Sequence, residues 1–183
     1  MQKKGVSPVV AEVLLVLLTI AAVSIVATFV INFVGPTLNE STECAKYQNY
    51  FSFKEEFSTN EGTFRYNCKQ SNLVGASVKV SEGIESDEQV IGFELVFSDE
   101  QGLTTIVMVN ETSPCEGEVK MLGGCIGELR IPGEGNTYTY VYNGGDKTFK
   151  TAEVYPVLGN GRVCDKSDQI ELITCGENVN LAE

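Results

Sequence analysis

The chain has 183 residues and no histidine. That absence removes the Ser-His and Cys-His pairs that activate most nucleophilic hydrolases, and with them the commonest nitrogen ligand of zinc sites. Cysteine is missing from the first 43 residues, and the six that follow contain no Cys-x-x-C pair, so a metal-binding cysteine cluster is not expected. Basic residues are scarce: 13 Lys and Arg stand against 25 Asp and Glu, a net charge of −12. So acidic a surface repels nucleic acid and anionic lipid, and neither is an expected partner. One stretch lacks charge altogether. From Val6 to Val34 the only charged residue is Glu12, and Val13 to Ile31 is a run of 19 residues with none.

As a helix those 19 residues would be about 28 Å long, close to the hydrocarbon thickness of a bilayer. The remainder, Gly35 to Glu183, holds 11 basic and 24 acidic residues, or −13. The chain therefore divides into an apolar segment and an acidic domain. Lys3 and Lys4 precede the span, which by the positive-inside rule keeps the short N-terminus cytoplasmic and sends the rest outward. The cysteines agree with export: Cys44, Cys68, Cys115, Cys125, Cys164 and Cys175 all lie beyond the span, an even set expected to form up to three disulfides. Fifteen connectivities are open to six cysteines. Short loops favour Cys115–Cys125 and Cys164–Cys175, leaving Cys44 with Cys68. Asn39-Glu40-Ser41 and Asn110-Glu111-Thr112 satisfy the N-glycosylation pattern and are candidate glycan sites on an exported domain.

The apolar run admits three readings. A cleaved secretory signal would be cut near Ala22-Val23-Ser24, leaving "IVATFVINFV" as an apolar N-terminus on the product. A plain membrane anchor fits the hydropathy but gives no reason for the small residue, serine and proline that follow the lysines. The third reading starts there. "KKGVSPVVAEVLLVLLTIAAVSIVATFV" resembles the N-terminus of archaeal type IV pilins, in which a basic leader ending in a small residue precedes a Val-Ser-Pro-type start and a long apolar helix. The resemblance covers about residues 3 to 34. It implies that a prepilin peptidase cuts after Gly5 on the cytoplasmic side, making Val6 the new N-terminus and retaining the helix.

Elementary chemistry suits such a cut. Glycine offers an extended backbone without side-chain interference. Pro8 fits the first turn of a helix, where its missing N–H has no partner to lose, and Ser7 can cap that helix. Glu12 lies about 12 Å along the helix from Lys4, within reach of headgroups. The resemblance gives it a second role, pairing with the free N-terminal amine of a neighbouring subunit, although in bacterial pilins the acid stands at the fifth mature position and Glu12 would be the seventh. Further implications are a homopolymer of identical subunits, a secretion ATPase and a membrane platform protein as partners, insertion in the cytoplasmic membrane before assembly, and an extracellular filament that mediates adhesion. Archaellins, subunits of a motility filament, share the processing logic but usually start their helix with a glycine-rich run. A monomeric, membrane-anchored binding domain is the remaining alternative.

The resulting division is a leader over 1–5, a helix over 6–35, a linker over 36–43 and an exported domain over 44–183, with Gly35-Pro36 ending the helical pattern. In the domain, "VIGFELVF" and "TTIVMVN" are strand-like and joined by the hairpin turn Ser98 to Gly102. "EVKML", "GELRI", "NTYTYVYN", "KTFKTAEVY" and "QIELITC" add strands, with a second hairpin expected at Gly144-Gly145-Asp146. The expected class is α+β: a long hydrophobic helix followed by an antiparallel, Ig-like β-sandwich. The aromatic-dense stretch "YQNYFSFKEEFSTNEGTFRY" should pack on its core. Tyr138, Tyr140 and Tyr142 alternate and so share one face of a strand, as cross-strand packing or as a contact face. Glu85 to Glu88 and Asp99-Glu100 lack the spacing of a calcium loop and read as solvated turns. No motif singles out a catalytic pair, a metal site or a cofactor, and an enzyme is not expected.

Overall fold

The computed structural model describes residues 8–182 except 61, 86 and 88, with backbone alone for 32–42. The chain forms two compact units, Met1–Ala45 and Lys46–Glu183. The described part of the first is one helix, α1, Pro8–Ala45. Pro8 is the first residue of the described helix, and in a helix's first turn a missing N–H costs little because those N–H groups have no intrahelical partner. Leu, Val, Ile and Ala fill the next turns, and every residue from Pro8 to Ile31 is exposed.

The helix does not end at Gly35-Pro36 as the sequence predicts. It continues through the expected linker to Ala45. A proline inside a helix removes one backbone hydrogen bond and costs about 3 kcal/mol, yet the ladder can resume on the next turn.

The second unit is built from strands, which among the described residues are β1 (Phe51–Phe53), β2 (Phe57–Thr59), β3 (Gly62–Phe64), β4 (Cys68–Gln70), β5 (Leu73–Val80), β6 (Val90–Asp99), β7 (Thr104–Asn110), β8 (Val119–Met121), β9 (Thr137–Asn143), β10 (Phe149–Leu158), β11 (Asp168–Glu171) and β12 (Ile173–Thr174). One sheet has the order β12-β4-β5-β9-β8, with β1 also paired to β5. The other has the order β11-β10-β6-β7, and β2 and β3 form a separate hairpin. All pairings are antiparallel except β12 with β4. The two main sheets face each other as a sandwich. Rings from both meet in the middle: Phe51 on Phe93 at 5.0 Å between centroids, Phe93 on Tyr140 at 5.1 Å, and Phe97 on Tyr142 at 5.6 Å. The alternating tyrosines of β9 thus serve packing at Tyr140 and Tyr142, with Tyr140 wholly buried.

Strand β5 is buried on both faces, which explains its run of small residues. A Cβ at Gly75 would lie within 2.3 Å of the Tyr66 carbonyl oxygen and 2.9 Å of the Leu181 side chain. Beyond that face, Val179 and Leu181 of the C-terminal tail pack with Cys68 and Val141 in a second small core. The two sheets are also stitched at one edge. The Ser167 hydroxyl accepts from the Phe51 N–H at 2.8 Å and donates to the Phe51 carbonyl at 2.9 Å, while Asp168 accepts from the Phe53 N–H. Every buried apolar residue of the described chain lies at or after Tyr47. The unit therefore owns its core outright and has what it needs to fold without the apolar span.

Two expected features of this unit take another form. Gly144 to Asp146 does not close a hairpin, because β9 pairs with β5 and β8 whereas β10 pairs with β6 and β11. The turn carries the chain from one sheet to the other. Gly144 sits so close under the Phe149 ring that a Cβ there would lie 2.5 Å from it. "GELRI" forms only an isolated bridge, Pro114 to Glu128, because the positive φ of Gly123, Gly124 and Gly127 keeps that segment looping. The Ser98 to Gly102 turn is the expected hairpin, held by the Asp99 carboxylate, which accepts from the N–H groups of Gln101 and Leu103.

The disulfide pairing is redrawn in part. Cys115 bonds Cys125, but Cys68 bonds Cys175 across 107 positions, so neither Cys44–Cys68 nor Cys164–Cys175 forms. Cys44 and Cys164 are also disulfide-bonded, and no thiol among the described residues is free. The long bridge follows from β12 lying parallel to β4, in a register that sets Ile173 beside Cys68. Pairing follows that contact rather than loop length.

Candidate functional site

The helix is the most unusual surface in the molecule. Its span Pro8–Ile31, 24 residues, is long and apolar enough to cross a membrane. At 1.5 Å per residue it extends about 36 Å. Exposed side chains lie all round it, with Leu18 and Ile25 each 71 % exposed. A helix apolar on every side needs an apolar surrounding, in lipid or among other helices.

Its few polar side chains fit that requirement. The hydroxyl of Thr19 donates to the Val16 carbonyl at 2.8 Å, that of Ser24 to the Ile20 carbonyl at 2.9 Å, and that of Thr28 to the Ser24 carbonyl at 2.8 Å. Each hydroxyl is satisfied within the helix, so none demands water when the helix is surrounded by hydrocarbon. Glu12 remains as the single charge of the span Pro8–Ile31, exposed on the second turn. Small residues (Ala21, Ser24 and Thr28 along one side) let helix backbones approach closely in an apolar medium.

In the second unit the first residues are locked by an aromatic and ionic cluster. The Lys46 amine donates to Asp87 at 3.0 Å and lies 4.6 Å from the centre of the Tyr47 ring. The Tyr47 hydroxyl is within hydrogen-bond reach of Asp87 at 3.1 Å and Gln89 at 3.0 Å, and Tyr50 accepts from the Asp87 N–H at 2.8 Å. The Gln89 N–H, followed by the Lys46 amine, holds the Asp87 carboxyl below its ordinary range; burial pushes Tyr47 upward. This cluster was visible in sequence only as the density of aromatics in "YQNYFSF". Its partners at 87 and 89 were not, because they come from 40 positions away. Asp87, read as part of a solvated acidic turn, is an ion-pair partner instead.

The other sequence-predicted positions fall as follows. Gly5 and Val6 lie outside the described residues. Asn39 belongs to the backbone of α1, with its side chain outside the described residues. Asn110 ends β7, half-buried, and its side-chain carbonyl accepts from the Thr112 N–H at 3.0 Å and the Thr112 hydroxyl at 2.8 Å. Among the described residues no group of histidine, cysteine or acidic side chains could hold a metal ion.

The geometry defines a class: a chain that carries one helix requiring lipid or like helices around it, and a disulfide-braced β unit with a core of its own. Within that class the comparison with known families is specific. Residues 4–42 match the family model for archaeal type IV pilins, N-terminal region. Lys4, Gly5 and the Ser7-Pro8 pair ahead of the apolar run all fall within the matched stretch. No curated protein matches the chain.

Proposed function

We propose that this protein is the structural subunit of an extracellular type IV pilus-like filament. The observation that carries the reading is α1: a predominantly apolar span of 24 residues exposed on every side, with its hydroxyls satisfied internally, inside the stretch that matches archaeal pilins. A prepilin peptidase would remove residues 1–5 and leave Val6 as the N-terminus. The retained helix would serve first as membrane anchor and then as filament core. Moving it from lipid into a bundle exchanges one apolar surrounding for another while its backbone hydrogen bonds stay internal, so the transfer needs little net free energy. A secretion ATPase and a membrane platform protein would drive that transfer.

Glu12 would face the Val6 amine of a neighbouring subunit, each cancelling a charge that the bundle could not otherwise tolerate. The acidic β unit would form the outer surface, where the filament adheres, and Asn39 would carry a glycan. Gold-labelled antibody against the β unit should decorate filaments on the cell of origin at regular intervals along their length. Label confined to the cell envelope, with filaments bare, would leave an anchored surface domain in place of a pilin.

A further inference from the structure

Among the described residues five strand edges limit the two main sheets, and four of them are blunted: β1, paired only with β5, has three residues, and the Phe51 and Phe53 N–H groups are taken by Ser167 and Asp168. Edge β12 has two residues, β8 has three with Lys120 exposed between them, and β11 has four that include Asp168 and Glu171. Short length and charge are the usual means of keeping a sheet edge from pairing with another chain. Edge β7 has neither. It runs for seven residues beside β6 without a register shift, and from Gly102 to Asn110 the chain contains no charge and no proline. Among the described residues, the backbone of Thr104 to Val109 bonds only to β6, so half of its ladder groups face outward unpaired. Its outer face is apolar as well, with Ile106 60 % and Met108 41 % exposed, and with Leu103 beside the strand 68 % exposed.

We infer that β7 is an interaction edge whose occupant is β7 of a second copy of this chain, paired antiparallel about Val107. Charge selects the occupant. A basic partner would be drawn to the acidic remainder of the unit rather than to its one long uncharged edge. An acidic partner of another kind would need an uncharged strip of its own, which a second copy has by definition. The register is self-complementary too. Centred on Val107, the pairing sets Ile106 opposite Met108 of the copy on the outer face, and Thr105 opposite Val109 of the copy on the inner face. Side chains directly opposite on antiparallel strands stand about 5 Å apart, so the two exposed apolar pairs cover one another. The ends agree as well. Lys147 donates to the Thr105 hydroxyl at 3.0 Å, and in this register Glu111 of the copy comes opposite Leu103, two residues away, so each end of the seam brings a cation towards an anion. The product is one continuous sheet made from two of four strands.

A two-fold contact of this kind does not propagate a helical array, because it closes on itself. It joins units in pairs, and it stands or falls independently of the filament reading. The test uses residues 36–183, the unit with its own core, made in a host that does not N-glycosylate because Asn110 ends the same outer face. Sedimentation equilibrium across a concentration series should show a monomer–dimer equilibrium for the unaltered sequence. The variant Ile106→Glu with Met108→Glu, which sets like charges opposite across the seam, should be monomeric throughout. The variant Ile106→Lys with Met108→Glu sets opposite charges across it and should dimerise again. Circular dichroism of all three should be the same, since both side chains are exposed. A monomeric unaltered protein at millimolar concentration would overturn the proposal, as would a dimer indifferent to the like-charge pair or a charge-swapped variant that fails to recover.

Discussion

Replacing Ala22 by aspartate should abolish filaments while leaving the β unit folded. Ala22 lies near the middle of Pro8–Ile31, in a stretch whose only carboxylate, Glu12, is ten residues nearer the N-terminus. In a lone anchor, a central acid costs about 2.5–3.5 kcal/mol of insertion, and neighbouring water or headgroups reduce that. Such an anchor would still reach the membrane in reduced amount. A filament core is different, because each helix is surrounded by copies of itself and the new carboxylate is buried unpaired at every subunit. Removing or failing to supply the partner of a buried charge costs about 3–5 kcal/mol per site, and here the cost recurs along the whole polymer. Ala22→Leu, which preserves apolarity, should retain filaments unless that position packs tightly. Electron microscopy of cells expressing each variant, beside immunoblots of the membrane fraction, separates the two cases. Filaments in normal number from Ala22→Asp would show that this helix is not the polymer core.

The second large effect concerns stability, and it ranks the disulfides. Cys68–Cys175 spans 107 positions and Cys115–Cys125 spans 10. In the chain-entropy view a closed loop of about 100 residues contributes about 4.7 kcal/mol, and one of about 10 contributes between 2 and 3 kcal/mol. The long bridge also holds the two-residue strand β12 against β4, a pairing too short to stand alone. Cys68 is fully buried in the cluster with Val141, Val179 and Leu181. The double variant Cys68→Ala, Cys175→Ala should therefore lose about 4–5 kcal/mol, a third or more of the stability of an ordinary domain. Cys115→Ala with Cys125→Ala should lose about half as much. Urea unfolding of residues 36–183 measures both. Equal losses, or a larger loss at the short bridge, would mean that the C-terminal tail contributes little to the fold.

What the sequence revealed and what it withheld have separate physical origins. The apolar helix was legible because hydrophobic length and the absence of charge are local properties, and the strands β6 and β7 were legible because their turn carries Asp99 and Gly102 at fixed spacing. Strand β5 was hidden by its position at the centre. Packed on both faces by Tyr66, Leu181 and the opposite sheet, it needs Gly75, Ala76 and Ser77, which have little strand propensity of their own. The turn at Gly144 has hairpin chemistry, yet its role is fixed by Phe149 above it, a contact that no local pattern announces. The pairing of Cys68 with Cys175 depends in the same way on β12 returning to β4 from more than a hundred residues on. The candidate site divides along the same line. Its helix was readable from composition, whereas the internal bonds of Thr19, Ser24 and Thr28 and the exposed edge β7 became visible only with the fold.

In a pilin the apolar helix is retained and only the residues ahead of it are removed. Intact-mass measurement of the protein purified from its own cells, combined with N-terminal sequencing, reads both events. The predicted result is a chain beginning at Val6, with or without a modified amine, running through the whole of α1 and containing no free thiol. A mature chain beginning at Met1 or Gln2 would contradict processing and leave a plain membrane anchor; one beginning near Ile25 would contradict retention of the helix.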